Sequence, residues 1–171
     1  MDPLEIKKRN SEAPFHVIGK VTSDELFKDL TKEEGAPYQL RKMTIELEEV
    51  LKKPSSTNVD VLAIDIYYSY IPSWRALDYV GGHQPMDITV NDVIEIWLRE
   101  GEYGWEPVLS GDSVKYINYV EERNEPIPEP LLHSFIRIIK SGTQYNGNGI
   151  VITGIFLSII ALFYIGLKKR N

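Results

Sequence analysis

Three histidines are the side chains of this sequence best suited to proton transfer or metal binding near neutral pH. His16, His83 and His133 are far apart along the chain, and none has a second histidine three or four residues away. The metal motifs that can be read from a sequence place their ligands at such short spacings. We therefore predict no metal site and no cofactor.

A second kind of site would combine one histidine with carboxylates from elsewhere in the chain. His83 lies in a loop segment, Asp87 follows it closely, and Asp65 interrupts an apolar stretch. If the fold brings them together, they suit an enzymatic or ligand-binding pocket. Each also has a plainer interpretation, because loop histidines and carboxylates on the wet face of a strand are usually solvated. No G-x-S-x-G or S-x-x-K motif is present, so the sequence leans against an enzyme and leaves the question open.

Aromatic side chains are the richest resource for binding in this sequence. We predict an aromatic surface that includes Tyr67, Tyr70, Trp74 and Trp105. Exposed rings of this kind stack on bases or sugars, and tyrosine and tryptophan are also enriched in the cores of protein interfaces. The sequence by itself leaves both kinds of ligand open.

The composition excludes several classes of protein. The 171 residues include no cysteine, which rules out a disulfide scaffold, thiol catalysis and cysteine-bound metals. The net charge of -6 disfavours nucleic acid, because backbone phosphates require a basic surface. A nucleic-acid site would need a basic patch drawn from separated residues: Lys20, Arg41, Lys42, Arg75 and Arg99.

The strongest signal in the sequence is a charge-free apolar stretch near the C-terminus. Residues 149–167, GIVITGIFLSIIALFYIGL, number 19, and about 20 apolar residues span the hydrocarbon core of a bilayer. A lone segment in lipid is helical, since its backbone must satisfy its own hydrogen bonds. The stretch therefore predicts a single transmembrane helix, and residues 168–171 form a basic tail that stops transfer.

Small residues within this span indicate one further contact. Gly154, Ser158 and Ala161 recur at spacings that let two helices approach closely. They predict helix packing and a possible homodimer through the membrane helix, although a plain anchor explains the same residues.

The side of the membrane on which the domain lies is not fixed by the flanking charges. The first residues contain no apolar stretch typical of a signal peptide, which favours a C-terminally anchored protein with its domain in the cytoplasm. The basic tail gives a weak preference for the opposite orientation. We leave the side open and slightly favour the cytoplasm.

Between the anchor and the domain, two segments differ in composition. Residues 121–130, EERNEPIPEP, carry three prolines at alternate positions, which is typical of a semi-rigid extended stalk or of a loop wrapped on the domain. Residues 131–148 begin with an amphipathic pattern, LLHSFIRIIK. That pattern predicts either an interfacial helix on the bilayer or a last element packed on the domain. The remaining divisions are an N-terminal arm, 1–13, and a globular domain, 14–120.

The elements of the globular domain are mostly predicted as strands. Residues 15–21 form a strand, and a capping box from Thr22 to Glu25 predicts a short helix that ends near Leu30. Residues 59–71, VDVLAIDIYYSYI, form the clearest strand, in which Ile64, Ile66, Tyr68 and Tyr70 share one face. Residues 113–120 form another strand. Residues 38–53 and 89–101 match both helical and strand periodicities.

The spacing of these strands suggests a small closed sheet. The segments 87–98 and 107–117 resemble the hairpins of OB-fold barrels, in which a turn with Gly or Asn followed by Asp precedes an inward-facing strand. The resemblance covers roughly residues 15–120 and implies a fold rather than a function. We predict a mainly β, OB-like barrel with a short helix and one C-terminal transmembrane helix. An α+β sandwich is the alternative if 38–53 and 89–101 are helical.

These observations favour a single-pass, membrane-anchored binding or scaffolding module. It would present a small, acidic, β-rich domain to a protein partner, with the lipid bilayer as its other contact. The first alternative is a ligand-binding or enzymatic domain that uses His83, Asp65 and Asp87. The second is an OB-type domain for oligonucleotides or oligosaccharides, in which the acidic charge makes nucleic acid the weaker choice.

Overall fold

The computed structural model of the protein describes residues 1–30, 38–54, 62–75, 84–123, 125–145 and 154. The chain divides into two compact units, Met1–Ile127 and Pro128–Asn171. Helix α1 (Pro3–Glu12) opens the first unit. The strands that follow are β1 (Phe15–Asp29), β2 (Gln39–Lys52), β3 (Ala63–Tyr70), β4 (Val93–Glu100), β5 (Trp105–Pro107) and β6 (Val114–Asn118).

Five of the six strands close into a barrel in the order β1-β2-β3-β5-β4, and β4 pairs back with β1. All of these pairings are antiparallel except β3 with β5, which is parallel. Strand β6 pairs with the first half of β4, along the same edge that β5 occupies at the end of that strand. A five-stranded closed sheet with these connections confirms the predicted mainly β, OB-like barrel.

The core of the barrel follows directly from the alternation of side chains along each strand. On β1, Phe15, Val17 and Val21 are buried while their neighbours are half-exposed. On β3 the buried side chains are those of Ile66, Tyr68 and Tyr70. They lie on the face that the sequence predicts to be shared. The rest of the core consists of apolar side chains from the other strands and from the segment before β4: Met43, Ile45, Met86, Ile88, Ile94, Ile96 and Leu98.

A glycine in β1 lies where this strand pairs with both of its neighbours, β2 and β4. Gly19 pairs with Leu47 of β2 and with Ile94 of β4. A Cβ atom at this position would collide with the backbone oxygen of Glu46 and the side chain of Ile45. The close approach therefore depends on the absence of a side chain at Gly19.

The predicted helix over residues 22–30 is wrong, because β1 continues as a strand through Asp29. Glu25 pairs with Lys42 and Leu26 with Arg41 across to β2. The Thr22 hydroxyl donates to the Thr44 carbonyl instead of capping a helix. Long-range pairing has outweighed the local capping pattern here. The short helix of the structure is α1, which lies in the segment predicted to be an N-terminal arm.

The two ambiguous segments are strands. Residues 38–53 contain β2 and residues 89–101 contain β4, so the α+β sandwich alternative is wrong. A tight turn at Asn91, which has a positive φ of 76°, precedes β4 and separates it from Ile88.

Residues just before the second unit contact the barrel. The Trp74 indole donates a hydrogen bond of 2.9 Å to the Ile127 carbonyl, and Ile127 packs against the core. Glu125 accepts hydrogen bonds from the backbone and the hydroxyl of Ser73. The chain up to Ile127 therefore lies on the barrel, while the predicted domain boundaries stay predictions.

The second unit contains helix α2 (Leu131–Tyr145). Its first turns expose Leu131, Leu132 and Ile138, whereas His133 and Arg137 both pair with Glu129. Among the residues that the structure describes, no helix is long and apolar enough to cross a membrane. The predicted span 149–167, with Ser158 and Ala161, lies outside the described residues except for Gly154, which is helical and exposed.

Candidate functional site

Three aromatic side chains from distant parts of the sequence meet on the outside of the barrel. The ring centroids of Phe27 and Tyr67 are 4.9 Å apart, those of Phe27 and Tyr103 5.2 Å, and those of Tyr67 and Tyr103 6.0 Å. Phe27 is 46% exposed and Tyr103 is 43% exposed, and Tyr67 is half-buried between them. We call these residues the aromatic triad.

Local backbone features place each ring of the triad on the outside of the barrel. Phe27 lies at an irregularity in the β1–β2 register, between Leu26 and Lys28. Tyr67 points outward because its neighbours on β3 point into the core. Tyr103 sits in the turn between β4 and β5, where the Gly101 amide donates to the Gly104 carbonyl.

Gly104 fixes the shape of that turn. Its φ of +138° is a conformation that side chains rarely adopt, and a Cβ atom there would come within 3.3 Å of the Tyr67 ring. The backbone conformation therefore requires a glycine, and the ring beneath it leaves little room for a side chain.

Charged side chains beside the triad neutralise one another. Lys42 of β2 lies 3.2 Å from a Glu25 oxygen and 3.5 Å from an Asp65 oxygen. The hydrogen bond with Glu25 and the charges of both carboxylates raise the pKa of Lys42. Asp65 also accepts a hydrogen bond of 2.7 Å from the Thr44 hydroxyl. The sheet face next to the triad is therefore polar, but it offers no unpaired charge on these three residues.

The triad lies where barrels of this architecture bind their ligands. In OB-folds the binding face is formed by strands 2 and 3 with the β1–β2 and β4–β5 loops. Phe27 lies near the end of β1, Tyr67 lies on β3, and Tyr103 lies in the β4–β5 turn. Of the predicted aromatic residues, Tyr67 is the one that the structure places in this cluster.

The other three residues of the predicted aromatic surface have different surroundings. Tyr70 points into the core and is only 7% exposed. Trp105 is half-buried, with its ring 4.8 Å from that of Phe15. Trp74 is half-buried and bonded to Ile127. These three side chains therefore pack within the barrel or against the segment that follows it.

Two members of the triad were not among the predicted site residues. Phe27 falls within the helix predicted for residues 22–30, so its position on a strand was missed. Tyr103 belongs to the aromatic-rich part of the sequence. It lies in a turn, and the closure of the barrel decides which side chains this turn contacts. A strand assignment for residues 22–29 is the signal that would have placed Phe27 at the sheet.

The carboxylates of the alternative pocket lie in separate clusters. Asp65 contacts Lys42 and Thr44 on the outer sheet face. Asp87 accepts from Tyr119 and lies near Arg123. His83 is outside the described residues. Within those residues, no group of three histidine, cysteine or acidic side chains could hold a metal ion.

Three of the five basic residues that a nucleic-acid site would need, Arg41, Lys42 and Arg99, are engaged by carboxylates. Arg41 is buried against Asp24, and Arg99 lies 2.7 Å from Glu106. Lys42 is bridged by two carboxylates, as described above. Arg41 in particular points into the barrel and is not available to a ligand on the surface.

No family model, curated protein or solved structure matches this chain significantly.

Proposed function

We propose that this chain is a membrane-anchored binding module that contacts a protein partner through the aromatic triad. The observation that carries the proposal is the exposure of Phe27 and Tyr103 around Tyr67 on the binding face of an OB-like barrel. Large exposed rings gathered in one place are costly to leave in water and typically mark contact surfaces.

The charges around the triad support a protein rather than a nucleic acid. Nucleic-acid binding depends on cations that neutralise phosphates. Lys42, which lies opposite Tyr67 across β2 and β3, is engaged by Glu25 and Asp65. A rim of balanced polar groups around an aromatic centre is instead the usual composition of a protein interface.

The amphipathic character of α2 supports the membrane part of the proposal. Leu131 and Leu132 are strongly exposed at its start, and the opposite side carries His133 and Arg137 in hydrogen bonds with Glu129. Such a helix lies in the interfacial plane of a bilayer. Together with the apolar span 149–167, it would hold the barrel close to the membrane.

Photocrosslinking in native membranes tests the partner contact. Benzoylphenylalanine is introduced in place of Tyr103 and, as the matched control, in place of Ile117, which is exposed on β6. We expect one discrete crosslinked protein from the first position, and its loss when Phe27→Ser is added. Equal crosslinking from both positions, or no effect of Phe27→Ser, would reject the triad as the contact.

Fractionation tests the anchor. The full chain should remain in the membrane pellet after alkaline extraction, and a chain that ends at residue 148 should be released. Protease treatment of intact and permeabilised cells then assigns the side. Digestion of residues 1–140 only after permeabilisation places the barrel in the cytoplasm, and digestion in intact cells places it outside.

A further inference from the structure

The barrel is closed between β3 and β5 by a single pair of residues. Ile66 lies opposite Trp105 in parallel register, whereas on its other side β3 pairs with β2 from Ala63 through Tyr70. Among the described residues, the β3 edge beyond Ile66 has no further strand partner on the β5 side. A groove of about 280 Å³ opens there, between Tyr67–Ser69 and the segment 106–110. We call it the seam groove.

The backbone of β3 is oriented to receive a strand in the seam groove. Successive residues of a strand direct their N–H and C=O groups to opposite sides. The Leu62 carbonyl accepts from Leu47 of β2, so the even-numbered residues of β3 face β2. Tyr67 and Ser69 consequently direct their backbone groups to the seam. The parallel pairing of Ile66 with Trp105 uses the Tyr67 N–H, so the Tyr67 carbonyl and both backbone groups of Ser69 remain for a further strand. An extended peptide can pair with such an edge by strand addition.

The charges that line the seam groove differ in sign from the chain as a whole. Arg9 and Arg99 are the cations of the lining and Glu106 is its carboxylate, in a chain of net charge -6. The Arg9–Glu5 and Arg99–Glu106 pairs are largely exposed. Exposed pairs of this kind contribute little, so an incoming carboxylate can replace either acidic partner.

We infer that the seam groove binds an extended, acidic segment of the partner protein, which adds a strand to the free edge of β3. The inference rests on the proposed function, because Tyr67 borders both the groove and the aromatic triad. The edge runs from Tyr67 to Tyr70, about 13 Å at roughly 3.3 Å per residue, and along it Tyr67 and Ser69 present backbone groups to the groove. Apolar side chains of the segment would meet the apolar part of the lining: Leu40, Val108 and Leu109.

A peptide-binding measurement tests this inference without the natural partner. The full chain is placed in nanodiscs of neutral phosphatidylcholine and titrated with a fluorescein-labelled ten-residue peptide that alternates Glu and Val. We expect saturable binding, at least tenfold stronger than that of the Lys–Val peptide. The double variant R9Q/R99Q should bind the acidic peptide at least tenfold more weakly, and K52Q/K115Q, which removes the same charge elsewhere, should bind it normally.

Methylation of peptide nitrogens separates strand addition from simple charge attraction. A peptide methylated on every second amide loses its donors on one edge only. Methylation in one register should abolish binding, and methylation in the other register should leave it intact. Equal binding of both methylated peptides, or binding that R9Q/R99Q leaves unchanged, would overturn the inference.

The two proposals fail separately. Absence of peptide binding overturns the seam groove but leaves crosslinking from Tyr103 as an independent test of the aromatic triad. Conversely, saturable binding of the acidic peptide that R9Q/R99Q weakens supports the seam groove even when benzoylphenylalanine at Tyr103 gives no crosslink.

Discussion

A guanidinium nitrogen of Arg41, Nη2, lies 2.9 Å from Oδ2 of Asp24, and only 10% and 9% of the two side chains are exposed. The Tyr68 hydroxyl donates to the other Asp24 oxygen, and Gln39 accepts from Arg41 Nη1. Burial and the neighbouring Asp24 carboxylate raise the pKa of Tyr68. The network therefore joins the distal half of β1 to β2 and β3 from inside the barrel.

Breaking this pair on one side should be strongly destabilising. Asp24→Asn keeps the shape but leaves the Arg41 charge buried without its counter-ion, and we expect a loss of about 3–5 kcal/mol in the free energy of unfolding. Urea denaturation followed by tryptophan fluorescence measures it. The double variant D24L/R41M removes both charges and should lose much less. A D24N variant within about 1 kcal/mol of the wild type would contradict the role given to the pair.

A second buried carboxylate makes a parallel prediction at the start of β4. Asp92 is fully buried and accepts from Arg123 at 2.7 Å, and from the amides of Thr89 and Val120. Arg123→Met removes its charged partner and should lower the free energy of unfolding by about 3 kcal/mol. Lys115→Met is the control, because its pair with Glu95 is exposed on the lysine side and should change stability by less than about 1 kcal/mol. Equal effects of the two variants would contradict this account.

Acid sensitivity should be traceable to Glu95. The hydrogen bond from Lys115 lowers its pKa below the ordinary value of 4.5; burial opposes this, and His16 lowers the pKa further. A carboxyl whose pKa is lower in the folded state stabilises the protein above its unfolded pKa, and this stabilisation is lost as the pH falls through the folded value. As the pH is lowered past about 4.5, the urea midpoint of the wild type should therefore decrease. It should decrease less steeply in Glu95→Gln. Superimposable pH profiles of the two proteins would refute the assignment.

Strand β1 should tolerate no side chain at Gly19. Gly19→Ala forces the backbone of Glu46 to move, and we expect a loss of about 1–3 kcal/mol in stability. Gly101→Ala is a matched control, since the atoms that it would meet belong to the Glu106 side chain, which can rotate away. The urea midpoints of the two variants are compared with that of the wild type, and Gly19→Ala should show the larger decrease. An equal loss of stability in both variants would show that the Glu46 backbone is not the obstacle.

The aromatic triad should matter for binding rather than for folding. The variant F27S/Y103S removes two exposed rings, so its free energy of unfolding should change by less than about 1 kcal/mol. Crosslinking through benzoylphenylalanine at Lys42, beside the triad, should fall several-fold in the same variant. In the wild type the yield should hold between about 50 and 200 mM salt, whereas phosphate binding would fall steeply over that range.

Much of the fold could be predicted because it depends on short-range patterns. The alternation along residues 59–71 assigns Ile66, Tyr68 and Tyr70 to the core, and the structure buries all three. Strand spacing and the turn before β4 indicate an OB-like barrel, which the strand order confirms. Patterns of this kind are local, since the alternation of a strand is a property of its own residues.

The errors have a common physical cause. Residues 22–30 carry a good helix-capping pattern, and the pairing of Glu25 with Lys42 and of Leu26 with Arg41 overrides it. Periodicity could not choose between helix and strand for residues 38–53, because both match. In each case the deciding partner lies on another strand, and a local pattern contains no information about it.

The sequence by itself determined the alternation along β3, the acidic charge of the domain, the absence of thiol chemistry, and the prediction of a C-terminal membrane helix. Only the tertiary structure decided which polar and aromatic residues meet. It placed Arg41 inside the barrel against Asp24, and it gathered Phe27, Tyr67 and Tyr103 from three segments. Among the residues that the structure describes, it also limited the pairing of β3 with β5 to Ile66 and Trp105. These juxtapositions arise from barrel closure, which is a long-range property of all five strands together.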